Sequence, residues 1–228
     1  MIKNRIYKVI KKKIINLDLK PGDVLSDRKL SEELRVSRTP VREALHLLQK
    51  ENFVRQYPKR GFCVSEISLK NISDMYEVRR ALEAAALRQS AKDFVPAEIE
   101  EIGRLLRHHE KIVKNFKAGS KFLEDAEFHK SFIRMSKNQY VIEIIESIFD
   151  RIQMLRNIQG VSQERVKMAY QQHLQIFEHF NKGSYSKAEK MLSKHIEDSK
   201  NDFINRIKSR FEILYFERRD EGSGEAER

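Results

Sequence analysis

The stretch Leu30–Val54, LSEELRVSRTPVREALHLLQKENFV, places Ser-Arg-Thr-Pro between two short segments of helical apolar spacing and follows them with a run of extended character. Ser37 can accept a bond from the unpaired N–H groups that open a helix. Pro40 would be the third residue of that helix, where its missing N–H costs nothing. Arg38 and Arg42 then fall one turn apart, with Thr39 beside them, on the first turn and a half. The start of the helix therefore offers two guanidinium groups and a hydroxyl.

The segment before it can start at a second cap, Ser26, and carry Leu30 and Leu34 inward. Further upstream, a helix from about Lys3 to Leu17 has Ile6, Val9, Ile10, Ile14 and Leu17 as its apolar stripe, and Leu19-Lys20-Pro21-Gly22-Asp23 ends it. Downstream, Phe53-Val54-Arg55-Gln56 and Phe62-Cys63-Val64 flank Tyr57-Pro58-Lys59-Arg60-Gly61. Two short β-type runs around a Pro/Gly turn read as a hairpin with a basic tip, beside which Cys63 packs as a small apolar residue. Three helices followed by such a hairpin make a winged helix-turn-helix. In that arrangement the start of the third helix enters the major groove of double-stranded DNA, where arginine binds guanine or phosphate.

Charge distribution agrees. The 228 residues carry a formal net charge of +11. Between Met1 and Glu66 there are 16 Lys/Arg against 8 Asp/Glu, and from Ile67 on there are 29 against 26. The basic excess sits in the first 66 residues, as suits a polyanion partner, although a solvated lysine-rich face would read the same on charge alone. The first residues interleave lysines with apolar positions and are expected to form an amphipathic helix, not a signal peptide. With no run of about eighteen apolar residues no membrane span is expected, and a single cysteine fits a reducing cytoplasm.

From about Ser68 onward the spacing is helical throughout, with segments near 69–91, 97–117, 121–136, 139–157, 163–182 and 185–214 separated at Pro96, Gly119, Asn138, Gly160 and Gly183. The fold class is thus mainly α, a winged helix-turn-helix over 1–66 joined to an all-helical bundle over 67–217. The charged stretch 218–228 is expected to be a disordered tail. Within the bundle, FLEDAEFHKSF sets Asp125 and His129 four apart on one helix face that Phe122 and Phe132 share. Alone, such a pair reads as hydrogen-bonded or as half of a metal site. His173 shares a stripe with Ala169, Ile176, Phe177 and Phe180, and His195 one with Ala188, Met191, Leu192 and Ile196, so both point inward. An imidazole buried among apolar groups must be bonded or must ligate an ion. Three inward histidines and an aspartate from three helices can meet in a bundle centre and leave open positions on Zn²⁺, Ni²⁺ or Mn²⁺, which a small carboxylate can complete. His46, His108, His109 and His179 lack this pattern and are expected at the surface, and Asn138 is expected to break its helix in a left-handed conformation.

Taken in order, LKPGDVLSDRKLSEELRVSRTPVREALHLLQKENFV, the wing PKRGFCV, MYEVRRALEAAA, DAEFHKSFIRMSKNQYV, HLQIF and GSYSKAEKMLSKHI resemble the GntR superfamily of bacterial transcription regulators, in the metal-binding, FadR-type subfamily that carries an FCD domain. The resemblance implies operator contacts from Arg28, Arg38, Thr39 and Arg42 and from the wing at Lys59, Arg60 and Gly61. It implies metal ligation by Asp125, His129, His173 and His195, with Zn²⁺ first and Ni²⁺ or Mn²⁺ as alternatives. Arg79 matches an arginine that lines the effector cavity in the family, while its own surroundings allow a salt bridge to Glu83 one turn on. The function implied is a cytoplasmic homodimer that binds a palindromic operator and senses a small organic acid, without catalysis. Two other readings use the same residues: a metal-free regulator with structural histidines, and a metal-dependent enzyme, which has no general base placed by the sequence.

Overall fold

Lysines alternate with isoleucines at the start of the chain, and the first helix turns that alternation into two faces. The computed structural model describes residues 2–66, 68–116 and 124–222, except for the side chains of residues 124 and 210–222. α1 (Ile2–Ile15) buries Ile6, Ile10 and Ile14 and leaves most of its lysines in water. A short β1 (Val24–Leu25) leads to α2 (Asp27–Leu34), where the Ser26 hydroxyl accepts from the Lys29 amide at 3.3 Å and caps the helix as expected. Arg35 ends α2 in the left-handed region at φ 52. α3 (Arg38–Lys50) buries Val41, Ala44, Leu45 and Leu48 on one face and leaves Arg38, Thr39 and Arg42 exposed on the other, with Pro40 third in the helix.

β2 (Val54–Tyr57) and β3 (Gly61–Val64) form the expected antiparallel hairpin, with Gly61 at φ 72 where the chain leaves the turn. The sheet has a third strand that the sequence did not announce. β1 pairs with β3 through Val24 and Leu25, giving the order β1-β3-β2. Two residues are too few to show an alternation. Cys63 lies buried on β3.

The remainder is helical: α4 (Leu69–Ser90), α5 (Pro96–Lys114), α6 (Glu124–Met135), α7 (Gln139–Gln159), α8 (Gln163–Asn181) and α9 (Tyr185–Gly222). Gly160 and Gly183 have positive φ at two of the expected breaks. Between α6 and α7 it is Lys137, at φ 55, that takes the left-handed conformation, whereas the Asn138 amide donates to the Ser136 hydroxyl at 3.3 Å. Propensity favours the asparagine for that role, and the chain turns one residue earlier. α9 overlaps the start of the tail expected from Arg218; residues 223–228, Gly119 and Phe122 lie outside the described residues. No helix among the described residues is long and apolar enough to cross a membrane.

The contacts divide the chain into two compact units. One joins Met1–Ser68 to Gly119–Ala126 and Gln139–Val161, so that α7 packs with α1. The other comprises Leu69–Ala118, Glu127–Asn138 and Ser162–Arg228, where α4 and α8 pack on α9. Ile10 is fully buried at the centre of the α1 stripe. Ile10→Ala is expected to destabilise the chain by about 2–5 kcal/mol through lost transfer energy and the cavity left behind. Urea unfolding followed by far-ultraviolet circular dichroism measures it.

Candidate functional site

Asp125 and His129 on α6, His173 on α8 and His195 on α9 come together as the spacing predicts. Each offers one ligand atom, and the four atoms all lie within 4.8 Å of one another, on side chains that are all buried. His129 Nε2 and His195 Nε2 are 3.1 Å apart, and His173 Nε2 and His195 Nε2 are 3.3 Å apart. Nitrogens bound to one ion at about 2.0–2.1 Å are themselves separated by about 2.9–3.4 Å, so these spacings suit a shared ion. Phe128 stacks on the His173 ring at 4.0 Å between centroids and fixes its plane.

The far side of each ring decides what the near side can do. His129 Nδ1–H donates to Glu83 Oε2 at 2.5 Å. Burial by itself would raise the Glu83 pKa, but the Arg79 guanidinium and His129 outweigh it and hold the carboxyl below its ordinary range, so it is an acceptor. His195 Nδ1–H donates to Gln172 Oε1 at 2.8 Å, an orientation set by the Gln172 amide N–H₂ donating to Asp198 Oδ2 at 2.7 Å. Where Nδ1 carries the only ring proton, His129 and His195 turn Nε2 lone pairs toward each other. Lone pairs at that separation repel, and a cation between them removes the repulsion. Three imidazoles and one carboxylate, with carboxylate and amide groups behind them, fit a divalent metal.

Around this cluster the structure adds residues that the sequence left unassigned. Asp125 Oδ2 accepts from Arg156 Nη2 on α7 at 2.6 Å. Arg79 is fully buried and donates from Nε to Glu83 Oε1 at 2.5 Å, which is the salt-bridge reading of that residue. His109, expected at the surface, is 1 % exposed, with its ring 5.2 Å from Tyr170 and 5.6 Å from His173. Ile102 and Leu106 share the buried face of α5 with it, so the stripe was present in the sequence and the adjacent His108 obscured it. His108 and His46 are exposed, and His179 is half-buried.

The N-terminal residues form a second cluster on the surface. Asp27 bonds both arginines of the opening stretch, with Arg38 Nη2 at 2.8 Å from Oδ1 and Arg42 Nε at 2.8 Å from Oδ2. The arginines are 58 % and 62 % exposed while the aspartate is only 14 % exposed. A largely covered carboxylate thus holds two solvent-facing guanidinium groups in fixed positions. Arg28, on α2, is exposed beside Glu32, and Lys59, Arg60 and Gly61 are exposed at the hairpin tip.

Two family models match the chain, "Bacterial regulatory proteins, gntR family" over residues 2–64 and "FCD domain" over residues 74–198. Among curated proteins, the chain is 30 % identical to the Nta operon transcriptional regulator of Aminobacter aminovorans, over 71 % of this chain and 75 % of that one. It is 26 % identical to the HTH-type transcriptional repressor RspR of Escherichia coli, over 86 % of each. Among solved structures it superposes on E. coli McbR/YncC with a TM-score of 0.74 at 18 % identity, over 91 % of this chain and 99 % of the other, a likeness of fold.

The buried pair behind His129 gives a stability test. Arg79→Met leaves the Glu83 carboxylate without its guanidinium and is expected to cost about 3–5 kcal/mol at neutral pH. Because the folded Glu83 pKa is depressed, its contribution is complete above the unfolded value of about 4.3 and is lost as pH falls through the folded value. In the variant this acid-side loss is expected to be smaller. Urea denaturation at pH 7 and pH 4 measures both effects.

Proposed function

The chain belongs to the GntR family of bacterial regulatory proteins and carries an FCD domain, and we propose that this DNA-binding transcription regulator senses a small organic acid through a divalent metal. The observation that carries the sensor reading is the convergence of Asp125 and three imidazoles whose outer nitrogens face Glu83 and Gln172. Asp125, His129, His173 and His195 would hold the ion. When bound, it offers open coordination positions to a carboxylate. Zn²⁺ suits three imidazoles and one carboxylate first, with Ni²⁺ and Mn²⁺ as alternatives. Arg79 holds Glu83, which holds His129, so its part in effector binding is to position a metal ligand.

In the DNA-reading half, residues 1–66, Arg38, Thr39 and Arg42 would meet base edges and phosphates from the start of α3, Arg28 the backbone, and Lys59, Arg60 and Gly61 the neighbouring groove. A homodimer would present two copies of this surface to a palindromic operator. The sensing half, residues 67–217, can shift DNA affinity only as far as its ligand prefers one arrangement of the dimer over another. The matched families and the relatives are regulators, and the reading contains no catalytic step.

A metal-free reading, with the histidines bonded to one another, is favoured by the 3.1 and 3.3 Å nitrogen separations. It needs a proton on one of the facing Nε2 atoms, while Glu83 and Gln172 already hold protons on Nδ1 of His129 and His195. Elemental analysis separates the two. Protein purified without added metal is expected to carry one divalent ion per chain, and His129→Ala to carry little. No metal in either, and none taken up on titration, would leave the histidines structural. Glu83→Gln and Gln172→Ala are each expected to weaken metal binding about 10–100-fold, read by chelator competition. For the DNA half, Arg38→Ala is expected to weaken binding to a selected duplex by about 1–3 kcal/mol. Unchanged affinity in fluorescence anisotropy would remove Arg38 from the reading set.

A further inference from the structure

Arg156, which bonds Asp125, is followed by Asn157, whose amide donates to the Ile15 carbonyl at 2.7 Å. Ile15 is the last residue of α1, where carbonyls have no partner within the helix. Six residues earlier on α7, about 9 Å along its axis, Asp150 accepts from Lys11 Nζ at 2.7 Å. Lys11 also donates to Glu51 Oε2 at 2.7 Å and to the Tyr7 hydroxyl at 2.9 Å, and that hydroxyl donates to Glu51 Oε1 at 2.5 Å. Glu51 is the C-cap residue of α3. Burial alone would lower the Lys11 pKa, but the bonds to Asp150, Glu51 and Tyr7 outweigh it and raise the pKa, so Lys11 stays charged. Burial, together with the charge of Arg55 on β2, pushes Arg151 on α7 down. Asp125, α7, α1 and α3 belong to the same compact unit.

We propose that α7 couples the state of Asp125 to the setting of α3, with Arg156 as the exchange partner, an inference that rests on the metal reading above. A carboxylate that ligates a divalent ion presents less negative charge to a guanidinium, and the ion itself repels it. Metal ligation at Asp125 and the Arg156 bond therefore oppose one another. When Arg156 loosens, the end of α7 gains freedom, and Asn157 and Asp150 carry the change to the end of α1 and, through Lys11 and Glu51, to the end of α3. Linkage makes the effect reciprocal, so a duplex that prefers one setting of α3 changes metal affinity by the same factor.

The test uses the full chain, zinc as the probe metal, and a duplex that the parent protein selects from a random pool. Chelator competition reads zinc affinity, and fluorescence anisotropy reads duplex affinity with and without saturating zinc. In the parent, zinc is expected to change duplex affinity by about fivefold or more. Asp150→Asn, remote from the cluster and on a half-exposed side chain, is expected to keep the parent's zinc affinity but to reduce that change to less than about twofold. Asn157→Ala, which removes the bond to the Ile15 carbonyl along with the one accepted from Gln153 Nε2 within α7, is expected to act in the same direction. Arg156→Gln is expected to bind zinc more tightly, because the guanidinium that competes with the ion for Asp125 is gone. The full change retained by Asp150→Asn or Asn157→Ala, or weaker zinc binding by Arg156→Gln, overturns the coupling through α7. Zinc that does not bind the parent, or binds with no effect on the duplex, overturns the sensor reading and the coupling with it.

Discussion

A fully buried imidazole must satisfy two ring nitrogens, and the FCD domain is arranged around that requirement. His129 and His195 meet it on one side with Glu83 and Gln172, which fixes where each ring keeps its proton. The other side is thereby committed to presenting lone pairs to a common point. Glu83 in turn is a carboxylate buried among helices, tolerable only because Arg79 lies against it. Each charge calls for the next, and the sequence of demands runs from α4 through α6 to α9. An apolar core would place none of these conditions on helix register.

Much of this was legible in the chain. His129 four residues after Asp125, and His173 and His195 on otherwise apolar stripes, signal inward polar groups because helical geometry leaves them nowhere else to point. The groups behind them were harder to see. Gln172 precedes His173 by one residue and looks like a surface position, and its role appears only when α8 and α9 bring its amide to His195. Arg156 lies thirty-one residues from Asp125, and no periodicity links them. In the N-terminal half, Ser26, Pro40 and the turn at Pro58–Gly61 announced helix starts and the hairpin through local rules alone, whereas Ser37 stands at the N-cap position of α3 without the expected side-chain bond to its opening amides. β1 escaped because its identity comes from pairing with β3, a tertiary fact.

The difference between the surface cluster and the buried one follows from the same logic. Side chains that would meet DNA must stay in water, so their positions are fixed by burial of a partner, as with Asp27. Side chains that would hold a metal leave water, so theirs are fixed by complete burial and by a second layer of polar groups. α7, its Arg156 and Asp125 belong to the unit that contains the winged helix-turn-helix.

Asp27 gives the protein an internal counterion. Any phosphate that takes Arg38 or Arg42 must displace a carboxylate already bound to both, instead of ions held loosely in solution. Fewer solution ions are then exchanged per contact, so attraction to DNA of arbitrary sequence is weaker and less dependent on salt than the count of arginines suggests. A duplex whose base edges repay the displacement gains relative to one that offers only its backbone. Two exposed arginines and one shared aspartate therefore favour a search made of short, easily abandoned encounters.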